Sequence, residues 1–352
     1  MGAGPSSDAA QPPPDRIRRG VSGCLRRTFK RPKLKLTSLD PTLPSDTMYA
    51  CSPRSILVSV LTSDKYDALV AIPFESLELA AVIGKTKYGD VQHASYHGTP
   101  VLVKYMPPMI DRATRRLFAD DLHLLVSLRH PNIVQCIGAS WSSPLKACFV
   151  MEYLDRGDLS SLLRNSRIEL SWHTHLLSIA IGTARGLAYM HGHSPPLLHR
   201  NLKSTNIRIG GDYSAKISGF ALRRDRDVGV LRPRDTSYYW MSPEMLRGDR
   251  CTHKTDVYSF GIVLSELDTR ATPYLDALPV DETDTSLVHQ ILFDERRPTL
   301  SSTPMESLQR LYRRCVASDP RHRPRFEEIL DILETDVYND ALDLASPSAL
   351  GG

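Results

Sequence analysis

One stretch of this 352-residue chain restricts its fold and chemistry more than any other: residues 199–206, which read His-Arg-Asn-Leu-Lys-Ser-Thr-Asn. It follows residues 172–191, where apolar side chains recur at helical spacing, and it precedes the strand-like residues 207–209. At its centre stands Asn201, whose neutral amide is a far weaker base than a carboxylate. The sequence therefore predicts a loop between a helix and a strand, without a carboxylate base at its centre.

Six further stretches of the chain carry recognisable patterns. They are Gly-Lys-Thr-Lys-Tyr-Gly-Asp-Val at 84–91, Leu-Arg-His-Pro-Asn-Ile-Val at 128–134, Lys-Ile-Ser-Gly-Phe-Ala-Leu at 216–222, Trp-Met-Ser-Pro-Glu at 240–244, Asp-Val-Tyr-Ser-Phe-Gly at 256–261, and Asp-Pro-Arg-His-Arg-Pro at 319–324. With the loop at 199–206, they resemble the ordered motifs of protein kinases over about residues 74–335. The residues at 128–133 and 240–244 are most similar to those of the tyrosine-kinase-like group, which mainly phosphorylates Ser and Thr.

The resemblance implies an α+β fold with two lobes. We expect a small β-rich N-lobe that carries the αC helix, at about 111–129, and a larger α-helical C-lobe. The expected organisation is a disordered basic tail at 1–47, a linker or docking segment at 48–73, the kinase-like domain at 74–335 and a disordered C-terminal tail at 336–352. Residues 56–61 form a short apolar run that the pattern does not assign.

The resemblance also implies which residues form the nucleotide cleft. Its nucleotide-binding positions fall on Gly84, Gly89, Val91, Lys104, Asp121, Met151 and Tyr153; its catalytic positions fall on Asn201 and Lys203, and its metal-binding positions on Asn206 and Gly219. ATP and Mg²⁺ are the cofactors that such a site uses. Glu244 and Arg323 take the positions of a structural ion pair.

Several residues depart from the family pattern, and most of them serve chemistry. Asn201 replaces the catalytic Asp, and Gly219 replaces the Asp that binds Mg²⁺. Thr86 replaces the middle glycine of the phosphate loop, and Asp121 replaces a Glu. Leu102 and Arg208 alter the adenine-binding walls, where Arg208 either stacks on a base or fills the pocket and points to solvent. These departures weigh against ATP and Mg²⁺ binding.

The pattern favours a pseudokinase, a kinase-fold scaffold or allosteric partner in signal transduction. Removing one electrostatic contact from a catalytic site typically costs about 10²- to 10³-fold in rate, and this site lacks two such groups. Two alternatives stay open: an atypical ATP-dependent Ser/Thr kinase and a metal-independent nucleotide-binding module. The expected partners are signalling proteins, an active kinase among them.

The N-terminal region carries the basic character of the chain. Residues 1–47 hold nine Lys/Arg and four Asp/Glu, a net charge of +5, whereas the whole chain carries +4, so the remainder carries −1. Met1-Gly2-Ala3-Gly4-Pro5-Ser6 matches a myristoylation pattern, and Cys24 is a palmitoylation candidate. A peripheral anchor at the inner face of the plasma membrane, a solvated tail and a nuclear-targeting cluster are the open interpretations.

Composition indicates an intracellular, cytoplasmic protein rather than a secreted, membrane-spanning or nucleic-acid-binding one. The chain is 41% hydrophobic and 24% charged. Its six cysteines form no C-x-x-C pair, which is typical of reduced thiols. No apolar run reaches the length of a membrane span, and the N-terminus lacks the apolar core of a signal peptide.

Overall fold

The computed structural model describes Met1 and residues 71–345, except for gaps at 87–88, 107–111, 144–145, 220–235, 275–283 and 302–304. The predicted tail at 1–47 beyond Met1, residues 48–70 of the predicted linker, and the lipidation candidates Gly2 and Cys24 lie outside the described residues. Within the described part, no helix is both long and apolar enough to cross a membrane.

The first half of the described chain forms a five-stranded antiparallel sheet in the order β1-β2-β3-β5-β4. The strands are β1 Leu77–Thr86, β2 Gly89–Tyr96, β3 Thr99–Tyr105, β4 Cys136–Ser143 and β5 Lys146–Glu152. Helix α1, Arg112–Ser127, connects β3 to β4. It packs on the sheet through Phe118, whose ring stacks on Phe149 with 4.8 Å between centroids. This is the predicted N-lobe with its single helix.

The second half is mainly helical. It contains α2 Leu159–Arg164, α3 Leu177–His191, the short strands β6 Ile207–Ile209 and β7 Ala215–Ile217, then α4 Pro243–Arg247, α5 His253–Thr269, α6 Asp284–Phe293, α7 Glu306–Cys315, α8 Phe326–Ile332 and α9 Tyr338–Ala345. Two π-helical turns, Trp172–Leu176 and Leu333–Val337, precede α3 and α9. The described chain therefore has the predicted α+β, two-lobed architecture.

Helix α5 forms the centre of the C-lobe. It begins at a capping box, in which the Thr252 side chain and Thr255 satisfy backbone groups of the first turn. Its residues from Thr255 to Leu267 are all buried, as expected for a helix that is packed on every side. The predicted ion pair is confirmed nearby, because Arg323 donates to Glu244 Oε1 at 2.7 Å and to Oε2 at 2.9 Å.

Backbone hydrogen bonds join the two lobes beside the predicted catalytic loop. Val134, which follows α1, donates its N–H to the Ile217 carbonyl at 2.9 Å, and the Ile217 N–H donates to the Asn132 carbonyl at 2.9 Å. The end of β7 is thereby fixed against the segment that leads from α1 into β4.

The C-terminal boundary differs from the prediction. Residues 336–345, which we expected to be disordered, continue as helix through Ala345. The physical reason is an apolar stripe at Leu333, Val337 and Ala341, spaced four residues apart and buried against the C-lobe. Residues 346–352 lie outside the described residues.

Candidate functional site

The buried carboxylate of Asp256, on α5, organises the loop at 199–206. Its Oδ2 accepts from the His199 N–H at 2.9 Å and from His191 Nε2 at 2.8 Å, and its Oδ1 accepts from the Arg200 N–H at 2.8 Å. These bonds hold Arg200 at φ 59°, a left-handed conformation that is uncommon for a residue with a side chain. Burial raises the pKa of Asp256, but the hydrogen bonds from His191 and Arg200 outweigh it and lower that pKa.

His199 crosses from this loop to the segment after β7. Its Nε2 lies 2.9 Å from the Ser218 carbonyl, and its Nδ1 accepts from the Asn201 N–H at 3.2 Å. A ring that donates at Nε2 and accepts at Nδ1 is neutral. Burial lowers the pKa of His199, despite the opposing effects of Asp256 and the Ser218 carbonyl. The ring therefore connects two segments and carries no charge.

Asn201, Asn206 and Gly219 lie together, as the resemblance implied, but they bond to one another. Asn201 donates its amide Nδ2 to the Gly219 carbonyl at 3.2 Å, and Asn206 donates its Nδ2 to the Asn201 carbonyl at 2.7 Å. Ser218 donates both its N–H and its hydroxyl to the Asn206 carbonyl, at 2.8 and 3.0 Å. An aspartate at 201 would lack the donor that Asn201 uses.

Gly219 has a conformation and a position that a side chain would not fit. Its φ is 73°, and a Cβ added there would lie 2.4 Å from both Cγ and Oδ1 of Asn206. The Asn206 side chain thus fills the space that a metal-binding side chain at position 219 would need. A Mg²⁺ ion requires oxygen ligands, usually one or two carboxylates, in near-octahedral geometry. Neither 201 nor 219 supplies one, so these residues as arranged do not fit that ion.

The described residues offer no other metal site of conventional type: no group of three or more His, Cys, Asp or Glu side chains among them is placed to hold an ion. Lys203, the second predicted catalytic residue, is half-buried and precedes the short 3₁₀ turn Ser204–Asn206.

The predicted phosphate loop joins β1 and β2. Gly84 pairs with Val91, and Val91 pairs in turn with Lys104 on β3. Gly89 begins β2 so close to β3 that an added Cβ would lie 3.0 Å from Tyr105 Cβ. The side chain of Thr86 lies outside the described residues. The strand register therefore places Gly84, Val91 and Lys104 side by side on three adjacent strands.

Asp121 lies on α1 with its side chain fully buried, whereas Lys104 is half-buried on β3. A Lys104–Asp121 ion pair stays a prediction.

Apolar and aromatic groups occupy the sheet side of the cleft. Leu102 on β3 pairs with Met151 on β5 and packs, half-buried, against a cluster that contains Met151 and Leu154. On the other side of Leu102 stands its β2 partner, His93. The His93 ring contacts Tyr153 with 4.6 Å between centroids and 59° between planes. The predicted nucleotide-binding residues Met151 and Tyr153 are therefore both in contact with other side chains of this chain.

Charged groups close the opposite side, and three of them were missed by sequence reasoning. Arg208 Nη1 lies 3.8 Å from Asp158 Oδ2, so its guanidinium pairs with a carboxylate of the same chain. Asp158 also accepts the Ser161 N–H at 2.9 Å and caps α2. Lys216 donates to Glu152 Oε2 at 2.7 Å. Of these, only Asp158 had a local signal, because an Asp directly before a helix is a preferred N-cap.

Comparison with known proteins identifies the family of this chain. Residues 77–333 match the family described as protein tyrosine and serine/threonine kinase. The chain is 34% identical over 270 residues to the probable serine/threonine-protein kinase drkB of Dictyostelium discoideum, covering 75% of this chain and 37% of that protein. It is 35% identical over 266 residues to the probable serine/threonine-protein kinase drkD of the same organism, covering 75% and 20%.

A plant relative gives the same result: the serine/threonine-protein kinase CTR1 of Arabidopsis thaliana is 33% identical over 267 residues, covering 74% of this chain and 32% of that protein. The chain thus matches less than two fifths of the length of each of these relatives. The family match, the motif order and the two-lobed fold coincide over the same residues. This chain belongs to the protein tyrosine and serine/threonine kinase family.

Proposed function

We propose that this chain is a pseudokinase of the tyrosine-kinase-like group that acts in signal transduction as a scaffold or allosteric partner. The observation that carries the proposal is the contact between Gly219 and Asn206. Because φ at Gly219 is 73° and an added Cβ would lie 2.4 Å from the Asn206 amide, a metal-binding side chain at 219 would strain the backbone and require Asn206 to move. A phosphoryl-transfer site of this family relies on Mg²⁺ to neutralise the developing charge.

The loop that would act as a base is used for structure instead. Asn201 donates to the Gly219 carbonyl, and His199 is neutral and buried. The Asp256 carboxylate accepts the backbone N–H groups of His199 and Arg200. Without the Mg²⁺ ligand and the base, each worth about 10²- to 10³-fold in rate by analogy with single electrostatic contacts, transfer at the usual rate is not expected. The retained structural groups, such as Glu244 and Arg323, support a role that depends on the fold.

Contacts within the chain support a domain whose lobes stay together without nucleotide. Leu102 packs against the apolar cluster that contains Met151, and Lys216 on β7 donates to Glu152 Oε2 on β5 at 2.7 Å, which joins the two lobes. Interactions with signalling proteins and peripheral contact with the inner face of the plasma membrane belong to the same proposal.

An atypical Ser/Thr kinase is the second candidate. The relatives that match this chain are named serine/threonine-protein kinases, and Lys104 and Asn206 are retained. A third candidate, a metal-independent nucleotide-binding module, draws on the cationic side chains of Lys104, Lys203 and Arg208 in a cleft that lacks carboxylates at 201 and 219. It predicts nucleotide binding that EDTA leaves unchanged.

One experiment separates the three. The full-length chain is incubated with radiolabelled ATP and a Ser/Thr peptide library in Mg²⁺ or Mn²⁺, and nucleotide binding is followed by thermal shift with and without EDTA. Lys104→Met serves as the matched variant. We expect no transfer above the background of Lys104→Met and no Mg²⁺-dependent shift. Transfer that Lys104→Met abolishes would refute the pseudokinase proposal in favour of the atypical kinase.

A further inference from the structure

The five-stranded sheet of the N-lobe has two edges, and the described residues cover only one of them. At the β4 edge, Ala71 forms a bridge with Ala139, and residues 138–140 are buried. The other edge is β1, which pairs with β2 alone among the described strands. An edge strand presents a row of backbone N–H and C=O groups that a further strand can bind. Within the described part of the chain, the outer edge of β1 therefore stays open to a partner strand.

The side chains of β1 are unusual for an open edge. Residues 79–83, Leu-Ala-Ala-Val-Ile, are five consecutive apolar residues, and all five are exposed. The exposed fractions of Leu79, Val82 and Ile83 are 41%, 47% and 53%. No charged residue and no proline interrupts this run, although charges and prolines are common means by which proteins protect an edge. The run is therefore typical of a strand that pairs with another chain.

Two irregularities restrict which strand can pair with β1. In its pairing with β2, the register shifts once between Leu79 and Val82 and again between Val82 and Gly84. Such bulges bend a strand and increase its twist, which disfavours pairing with an arbitrary flat strand. A partner must therefore match the side chains of β1 as well as its backbone groups.

We propose that this partner is a second copy of the chain, and that two β1 strands pair antiparallel about a two-fold axis centred between Ala81 and Val82. In this register, residues 78 to 85 of one chain face residues 85 to 78 of the other. The facing pairs are Glu78 with Lys85, Leu79 with Gly84, Ala80 with Ile83, and Ala81 with Val82. The two-fold axis repeats each pair, as in any isologous interface.

The sequence of β1 is complementary to itself in this register. Glu78 and Lys85 stand at opposite ends of the apolar run, and both are exposed. Antiparallel pairing places these unlike charges opposite each other at both ends, whereas parallel pairing in register would place like charges together. Each large apolar side chain also faces a small residue, an alternation that allows facing side chains to interlock. Within the described residues, Lys85 forms no ion pair with Asp90, its register partner on β2.

Analytical ultracentrifugation of the full-length chain over a range of concentrations tests the interface. We expect a reversible equilibrium between monomer and dimer. Val82→Lys places a charge at the centre of the interface and should weaken dimerisation about tenfold or more. Leu342→Lys is the matched control, because Leu342 lies on α9 in the C-lobe and its exposed fraction of 45% is close to the 47% of Val82. It should dimerise like the unaltered chain.

An exchange of charges tests the register and leaves the apolar run unchanged. Glu78→Lys and Lys85→Glu each place like charges opposite each other, so either variant alone should dimerise about tenfold more weakly. A mixture of the two variants restores unlike pairs and should form heterodimers. The double variant Glu78→Lys/Lys85→Glu should dimerise like the unaltered chain. Because both residues are exposed, this comparison decides the matter even if Val82→Lys does not fold.

Three results would overturn the proposal. A full-length chain that stays monomeric at every concentration would refute a second copy as the partner of β1. If Val82→Lys then also melted at a lower temperature, the edge would belong to a segment of the chain itself. Dimerisation that Leu342→Lys weakens as much as Val82→Lys does, or that the charge variants leave unchanged, would place the interface elsewhere. Sedimentation does not depend on nucleotide or on the catalytic loop, so this proposal can fail without affecting the proposed function.

Discussion

At the scale of single residues, Gly219 decides whether the catalytic loop could regain a metal ligand. Gly219→Asp would place a side chain on a backbone with φ 73° and against the Asn206 amide. Left-handed strain and overpacking each cost about 1–3 kcal/mol, and Asp tolerates this conformation better than most residues. We therefore expect a loss of about 2–4 kcal/mol in unfolding free energy, measured by urea denaturation, with no gain of Mg²⁺-dependent ATP binding.

Gly248→Asp is the control that separates strain from collision. Gly248 ends α4 at φ 78°, close to the value at Gly219, but no atom lies within 4 Å of its added Cβ. Its cost should be less than half that of Gly219→Asp. Equal costs for both variants, or a magnesium-dependent thermal shift in Gly219→Asp, would contradict the argument.

The residue scale also shows what sequence can predict about such a site. The resemblance assigned Asn201, Asn206 and Gly219 to one site, and in the structure Asn201 donates to the Gly219 carbonyl and Asn206 donates to the Asn201 carbonyl. The sequence could not predict that Asn206 fills the space beside Gly219, because this depends on one φ angle and one side-chain orientation. It also could not predict the Arg208–Asp158 contact, in which two segments about fifty residues apart meet only after folding.

At the scale of elements, helix α5 carries two buried carboxyl groups whose pKa values are shifted in opposite directions. Asp256, in its first turn, has a lowered pKa and fixes the catalytic loop. Glu266, near its end, accepts from Ser204 Oγ at 2.6 Å and from Trp240 Nε1 at 2.7 Å. Burial raises the pKa of Glu266 from 4.5 to about 7, more than these hydrogen bonds lower it. Sequence predicted the buried helix, but the partners of Glu266 come from two distant segments and were not foreseen.

The raised pKa of Glu266 predicts how the stability of the folded chain depends on pH. The folded state holds the proton of Glu266 more tightly than the unfolded state, so this residue favours folding below pH 4.5, and the benefit declines until about pH 7. Glu266→Gln mimics the protonated acid, since its amide can accept from Trp240 and donate to Ser204. We expect the variant to be more stable than the unaltered chain at pH 8, by about 3 kcal/mol if the full shift applies.

Urea denaturation at pH 5 and pH 8 checks this, because the advantage of Glu266→Gln should shrink at the lower pH. Glu244→Gln is the contrasting variant. Burial raises the pKa of Glu244, but the hydrogen bonds and charge of Arg323 lower it by more, so that this pKa lies below its ordinary value. Removing that carboxylate charge leaves Arg323 buried and uncompensated, which costs about 3–5 kcal/mol for a broken buried pair. The argument fails if Glu266→Gln is the less stable protein at pH 8.

At the scale of the whole molecule, family motifs predicted the two lobes but not where the fold ends. The last motif lies at 319–324, and beyond it only periodicity carries information. Leu333, Val337 and Ala341 form a four-residue repeat that indicates a continued helix, and the predicted boundary at 335 overlooked it. At the other end of the described body, Ile72, two residues before the predicted start at 74, donates its N–H to the Ala139 carbonyl of β4 at 2.8 Å.

The corrected boundary leads to a prediction for two truncated chains. A chain that ends at residue 345 keeps α9, whereas one that ends at 335 loses the buried Val337 and Ala341. It also loses Asp340, which accepts from the Ser307 N–H at 3.1 Å and from its hydroxyl at 2.6 Å. Buried aliphatic side chains contribute about 1.5–3 kcal/mol each, and such hydrogen bonds about 1 kcal/mol.

We therefore expect the chain ending at 335 to lose about 3–6 kcal/mol, and to melt roughly 6–24 °C lower in calorimetry, since each kcal/mol shifts Tm by about 2–4 °C. The chain ending at 345 should melt with the full-length protein. Equal melting of all three chains would contradict this prediction, because α9 and the turn before it would then add nothing to the stability of the fold.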